Sequence, residues 1–413
     1  MPDTIVRRKT CRLCDGKDLK PVLKLAPSPL ADSYIPENRL TEPQELYPLD
    51  LYQCGACGFS QMLDVVQPQV IYFDYIYETK SSLGLVEHFR GYAEDVLSRI
   101  APKPGSLVVD LGSNDGSLLG FFKARGMKVL GVDPAREIAR KATGNGVETW
   151  AELFDSGLAD RIRKERGPAA IITVNNLYAN VDDLFDMTAG IKKLLASDGV
   201  FVFESFYLAD LMENMVFDFI YHEHISYFSV KPLQVFFRSR GLELIDAQRV
   251  PTKGGSLRYT AQLAGGPRKV APAVAELIAL EERLGIQKPE AFKAFNDRIE
   301  DAKGKLVSLL RDLKAQGKTI AGFGASPTTT TLIYHYGITD MFDYIADDNP
   351  QRHNLFSPGK HIPVVPPETL YERKPDYVVV LAWRYAEPII AKLGRYRKQG
   401  GRFIVPLPEV KVL

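Results

Sequence analysis

The chain has 413 residues, of which 45% are hydrophobic and 25% charged, with a net charge of +1. That length exceeds the ~250–300 residues at which a single hydrophobic core stops growing, so two or three cores are expected. The near-neutral balance excludes the basic field of a nucleic-acid binder, and no window approaches the ~18 uninterrupted apolar residues of a membrane span.

The N-terminus runs into Cys11-x-x-Cys14 without an apolar stretch, which predicts no secretory signal and a reducing, cytoplasmic setting. Disulfides are disfavoured there. All four cysteines fall in two CxxC pairs, Cys11/Cys14 and Cys54/Cys57, separated by 39 residues (15–53). Four thiolates suit the closed tetrahedral site of a structural zinc ion, with no ligand position left for chemistry. Residues 1–65 are therefore read as a zinc-binding module, rich in proline and poor in regular periodicity.

Residues 66–100 are expected to be helical from about Ser82, with Leu83, Val86, His88, Phe89 and Val96 on one apolar face. An alternation of short strands and helices follows: strands over 106–112, 127–134, 172–176 and 199–205, with helices after the first two. That rhythm predicts a parallel, doubly wound α/β sheet. ELIDAQRV and GSLRYTAQLA, joined by PTKGG, read as a hairpin. Residues 271–317 read as two charged amphipathic helices split near Gly285–Pro289. A second α/β unit then runs from TIAGFGAS to the C-terminus.

The first glycine turn, Val109-Asp110-Leu111-Gly112-Ser113-Asn114-Asp115-Gly116-Ser117, leaves a strand and opens a helix. Gly112 and Gly116 permit a tight turn and close backbone approach to a ligand. Asp133, ending the next strand 21 residues after Gly112, stands where a carboxylate can accept ribose hydroxyls. The turn is not GxGxxG, and its inner Asn114 and Asp115 suit an amino-acid tail better than a pyrophosphate. Adenosine carrying such a tail is the expected ligand, with Gly112, Asn114, Gly116, Asp133 and, on the strand beyond, Asn176 lining its site.

With these motifs in place the sequence resembles the sugar-nucleotide C-methyltransferases of deoxysugar biosynthesis over nearly its whole length. The resemblance rests on the paired CxxC module, LGSNDGS, FDFIYHEHISYFS (217–229), KGGSLRYT (253–260), and the C-terminal GFGAS and SPGKHIPV (357–364). It implies an N-terminal zinc-binding module, a central Rossmann-like class I methyltransferase domain over 66–265 and a C-terminal Rossmann-like α/β domain over 266–413. It further implies S-adenosylmethionine and zinc as cofactors, and a nucleotide-linked 4-keto sugar methylated at a carbon beside the ketone. A small-molecule substrate, no nucleic acid, no membrane, and a monomer or weak homo-oligomer complete the expectation.

Carbon methylation of this kind requires an acidified C–H, a base and a positioned methyl donor. By resemblance Tyr221, Glu223 and His224 line the active site, with Tyr221 or His224 the base; on reference pKa values of about 10 and ~6.5 the histidine is the easier one. Tyr77, in the YxY of Tyr75-Ile76-Tyr77, is a further candidate. A competing reading places His222 and His224 on a strand, both rings on one face, as ligands of a transition metal. Asn180 stands where the family has a histidine and can donate a hydrogen bond but transfer no proton. Lys253 replaces a histidine of the hairpin turn, and Pro327-Thr328-Thr329-Thr330 replaces a lysine after GFGAS. Ser256, Arg258 and Arg352 are candidate substrate ligands, either arginine able to pair with a diphosphate. Three alternatives stay open: a methyltransferase acting on a different small molecule; an NAD(P)-dependent oxidoreductase using Gly322-Phe323-Gly324-Ala325-Ser326 with Asp347; and a non-catalytic interaction module.

Overall fold

The computed structural model describes residues 4–72, 79–81 and 84–413. The chain forms two compact units. The first comprises residues 1–20, 52–209 and 225–287, the second 21–51, 210–224 and 288–413.

In the first unit, helix α1 (Leu85–Ile100) precedes a sheet of seven strands: β1 (Leu107–Leu111), β2 (Lys128–Val132), β3 (Thr149–Trp150), β4 (Ala169–Asn175), β5 (Leu195–Phe206), β6 (Leu242–Val250) and β7 (Ser256–Leu263). Their spatial order is β6-β7-β5-β4-β1-β2-β3. The five strands β3 to β5 in that order are parallel, and β7 inserts antiparallel between β5 and β6. β1 is buried along its whole length, as a central parallel strand covered on both faces must be. The predicted hairpin is the β6/β7 pair, joined through Gly255 at φ 126°.

One face of the sheet is covered by α1, whose Leu85, Phe89, Tyr92, Ala93 and Val96 recur at helical spacing and pack on Val108, Ile171, Val200 and Val202. Burial of a Leu, Phe or Val side chain in this face contributes roughly 1.5–3 kcal/mol. The opposite face is aromatic: Phe203 stacks on Tyr259 at 4.5 Å and on Phe201 at 5.3 Å, and Tyr178 stacks on Phe228 at 5.4 Å. The N-terminal module is more regular than its composition predicts. Strands Leu19–Ser28 and Tyr47–Cys54 are present, and in the second Tyr47, Leu49, Leu51 and Gln53 alternate as buried residues.

The second unit contains helix α2 (Pro289–Ala315), then β8 (Ile320–Phe323), helix α3 (Pro327–Tyr336), β9 (Ile345–Ala346), β10 (Val364–Val365), β11 (Tyr377–Val380), β12 (Arg402–Val405) and β13 (Lys411–Val412). The order β10-β9-β8-β11-β12-β13 turns back between β8 and β11, a topological switch point. Gly285, at φ 65°, ends helix Pro272–Leu284 four residues before α2, as the predicted split requires. Among the described residues no helix is long and apolar enough to cross a membrane.

Candidate active site

Two similar backbone knuckles present the cysteines. Cys11 carbonyl accepts from Asp15 N at 3.0 Å, and Cys54 carbonyl from Gly58 N at 2.8 Å. Cys11 and Cys57 Sγ lie 3.6 Å apart, as do those of Cys14 and Cys54, and all four sulfurs fall within 4.8 Å of one another. A tetrahedron with Zn–S bonds of about 2.3 Å has S···S edges of about 3.8 Å, so the donor set fits zinc in size and chemistry.

At the carboxyl edge of the first sheet, Gly112 leaves β1 at φ 76°, and its amide donates to Val132 O at 2.7 Å. A Cβ there would meet Leu177 Cδ2 at 2.9 Å in an already strained backbone, so the position requires glycine. Asp133 accepts Asn114 N and Ala135 N, both at 2.9 Å. Burial raises its pKa against those two amides. Each oxygen keeps a further lone pair, so the carboxylate can still accept hydroxyls. Asn114 departs from the expectation. Its side-chain oxygen accepts Thr79 N at 2.8 Å and Thr79 Oγ1 at 3.2 Å, and Asp115 accepts Lys80 N at 3.3 Å. The two inner polar side chains of the turn thus anchor the segment preceding α1. Asn176, at φ 58°, donates its amide to Glu204 O at 2.9 Å on the same edge. Ser113 Oγ and Asn180 Oδ1 are buried and find no partner among the described residues. Buried polar atoms of that kind are the groups a polar ligand satisfies. The edge fits S-adenosylmethionine, with Gly112, Asp133 and Asn176 as the residues that would hold it.

Tyr221, Glu223 and His224 belong to the second unit, in a turn rather than a strand. The Tyr221 and His224 rings lie 4.1 Å apart, both buried, and Glu223 is half-buried beside them. His224 Nδ1 lies 2.9 Å from Phe219 O. A carbonyl only accepts, so Nδ1 carries a hydrogen here. The strand geometry proposed for a His222/His224 metal pair is not observed. His222 Nε2 instead faces Tyr47 O at 3.3 Å, and burial lowers its pKa to about 4. Tyr77, with Tyr75 and Ile76, lies outside the described residues, as does Leu83.

Arg258 is not offered to a diphosphate. Its Nε donates to Glu204 Oε1 at 2.7 Å and its NH1 to Asp95 Oδ2 at 2.9 Å, and the guanidinium lies 4.2 Å over the Tyr92 ring. The periodicity that placed it on a strand could not show that both neighbouring elements bring carboxylates to it. Ser256 Oγ donates to Thr252 O at 3.1 Å inside the hairpin turn. Arg352 is ion-paired with Asp32 and lies 4.5 Å over Tyr34.

Two groups escaped the sequence. Arg384 follows β11 at the switch point, donates to Asp218 at 3.0 Å and covers Phe219 at 4.4 Å; the Trp-Arg pair after a strand was its only signal. His88, assigned to the packing face of α1, instead lies 2.6 Å from Glu204 Oε2.

Three family models match in succession along the chain: a zinc binding domain over 11–72, a methyltransferase domain over 85–247 and a C-methyltransferase C-terminal domain over 251–408. The C-methyltransferase NovU of Streptomyces niveus is 34% identical over 414 residues, spanning 100% of this chain and 99% of its own. Among solved structures, magnesium protoporphyrin IX methyltransferase ChlM from Synechocystis PCC 6803 with bound S-adenosylmethionine is 16% identical. It covers 47% of this chain and 88% of its own, with a TM-score of 0.32. An S-adenosylmethionine-dependent methyltransferase from Clostridium acetobutylicum ATCC 824 is 15% identical over 44% of this chain and 92% of its own, with a TM-score of 0.35. The oxidoreductase and non-catalytic readings give way to the full-length relationship, and the chain belongs to the S-adenosylmethionine-dependent C-methyltransferases that carry an N-terminal zinc-binding domain.

Proposed function

We propose that this C-methyltransferase acts in the cytoplasm on a nucleotide-linked keto-deoxysugar, at a carbon acidified by the neighbouring carbonyl. The observation that carries the reading is the buried pair of His224, whose Nδ1 lies 2.9 Å from Phe219 O, and Tyr221, whose ring lies 4.1 Å from the imidazole. We assign the base to this pair, because a base is what carbon methylation needs and what transfer to an already nucleophilic oxygen or nitrogen needs least. Tyr221 and Glu223 orient the imidazole and the substrate. Bound S-adenosylmethionine supplies an electrophilic methyl group and keeps the electron pair of the broken S–C bond. We assign residues 1–65 to zinc binding, 66–265 to methyl transfer and 266–413, with Arg352, to the nucleotide sugar.

The test is a mass-spectrometric screen of keto-sugar nucleotides with S-adenosylmethionine for the gain of one methyl group. We expect gain with at least one, and a loss of turnover of at least ~10²-fold in His224→Ala or Tyr221→Phe. No gain with any keto-sugar nucleotide, or near wild-type rates in both variants, overturns the reading.

A further inference from the structure

We propose that Arg384 is a positioning residue of this enzyme, one that acts through Asp218 and Phe219 to hold the turn presenting Tyr221 and His224. The proposal rests on the assignment of the base to that pair, and every residue it uses belongs to the second unit.

The turn has little backbone structure of its own. Phe217–Phe219 form one turn of 3₁₀ helix, and beyond it the chain reaches His224 without entering a helix or a strand. Two successive carbonyls are taken by side chains: Phe219 O by His224 Nδ1 at 2.9 Å, and Ile220 O by Thr331 Oγ1 of α3 at 3.0 Å. Irregular backbone loses conformational entropy when it is fixed and gains no ladder of hydrogen bonds in return. Its shape is therefore set by what packs against it.

Arg384 supplies most of that packing. Asp218, inside the 3₁₀ turn, is fully buried. Arg384 NH1 donates to both of its oxygens, at 3.1 and 3.0 Å, and Trp383 Nε1 donates to Oδ2 at 2.9 Å. Both donors follow β11 at the switch point, so the carboxylate ties the turn to the end of a sheet strand. Arg384 NH2 also reaches Thr328 Oγ1 in the first turn of α3 at 3.4 Å. The same guanidinium lies 4.4 Å over the Phe219 ring, and that ring stacks on the His224 imidazole with centroids 5.7 Å apart and 28° between the planes. Phe219 thus meets Arg384 with its ring and His224 with both its ring and its carbonyl. A planar, multidentate cation grips a carboxylate and covers an aromatic face at once, which the point charge of a lysine does not. Arg384 Nε is buried without a partner among the described residues, so direct service to substrate is the alternative that the experiment must separate.

Catalysis is sensitive to such support, because a misplacement of about 1 Å can cost about 10²-fold in rate. On the keto-sugar nucleotide that the screen identifies, kcat is measured per S-adenosylmethionine-binding site, counted by calorimetry so that unfolded protein does not enter. We expect Arg384→Met to lower kcat at least ~30-fold with the KM for the nucleotide sugar within ~3-fold of wild type, and Arg384→Lys to lie between, at about a tenfold loss. If Arg384→Met does not fold, the lysine variant carries the same test. Retention of kcat within ~3-fold in the variants that fold overturns the proposal. So does a KM raised at least tenfold at unchanged kcat, which would place Arg384 on the substrate.

A substrate-free measurement separates this proposal from the base assignment: proton exchange at His224 Nδ1 by NMR of histidine-labelled full-length protein, identified against His224→Gln. We expect exchange at least ~10-fold faster in an Arg384 variant than in wild type, as the bond to Phe219 O loosens. Exchange as slow as in wild type overturns the proposal whatever the screen returns. Faster exchange together with near wild-type turnover in His224→Ala and Tyr221→Phe would support the hold on the turn and overturn the base assignment instead.

Discussion

Asp110 is buried near the end of β1, and no cation among the described residues contributes to its charge environment. Its one strong partner is the Thr173 hydroxyl at 2.6 Å, and burial pushes its carboxyl up to about 7, with Asp133 adding to the shift. A folded-state pKa above the unfolded value of about 3.9 means the native state binds the extra proton. The stabilising contribution is whole below about pH 4 and is lost as pH rises through 7, by a few kcal/mol in total. Asp110→Asn, neutral at every pH, should flatten the fall in urea-unfolding free energy between pH 4 and 7; an unchanged slope would show that Asp110 titrates normally. This residue also marks a limit of sequence reading. Its place in VDLGSNDGS was legible, and Gly112, Gly116 and Asp133 could be read from spacing because backbone turns obey local rules. The destinations of the Asn114 and Asp115 side chains could not, because their partners, Thr79 and Lys80, are brought to them by packing 35 residues away.

Among the elements, α1, β5 and β7 are joined by one buried group. Arg258 on β7 bonds Glu204 on β5 and Asp95 on α1, and it covers Tyr92 of the same helix. Removing a guanidinium from such a place leaves a buried carboxylate short of a partner, at a cost of roughly 3–5 kcal/mol. We expect Arg258→Ala to lower the thermal midpoint by many degrees and to reduce soluble yield. A variant with the wild-type midpoint but a KM for the nucleotide sugar raised at least tenfold would return Arg258 to the substrate. The elements themselves were largely readable: the βα alternation, the β6/β7 hairpin and the break at Gly285 all follow periodicity and turn chemistry. The strands Leu19–Ser28 and Tyr47–Cys54 were not, because prolines in and around them mask an alternation of buried residues that is plain in YPLDLYQ.

On the scale of the whole molecule, the two CxxC pairs straddle an excursion of the chain. Residues 1–20 and 52–209 belong to the first unit, whereas 21–51 belong to the second. One zinc ion bound by all four cysteines therefore ties the departing and returning strands of the chain at their root, closing a loop of 39 residues (15–53). Loop closure of that length is worth roughly 3–4 kcal/mol by the chain-entropy estimate for a covalent cross-link, and zinc binding itself adds folding free energy. Because all four ligand positions are cysteine, the metal has no open position for substrate, and its removal should act through stability alone. We expect one zinc per chain by elemental analysis, lost in Cys14→Ser or after treatment with a strong chelator. The thermal midpoint should drop, while the protein that remains folded at low temperature should bind S-adenosylmethionine with an unchanged Kd. An unaltered midpoint after complete zinc loss would refute the cross-link. A weakened Kd with the fold intact by circular dichroism would instead connect the metal to the donor edge that we propose at Gly112, Asp133 and Asn176.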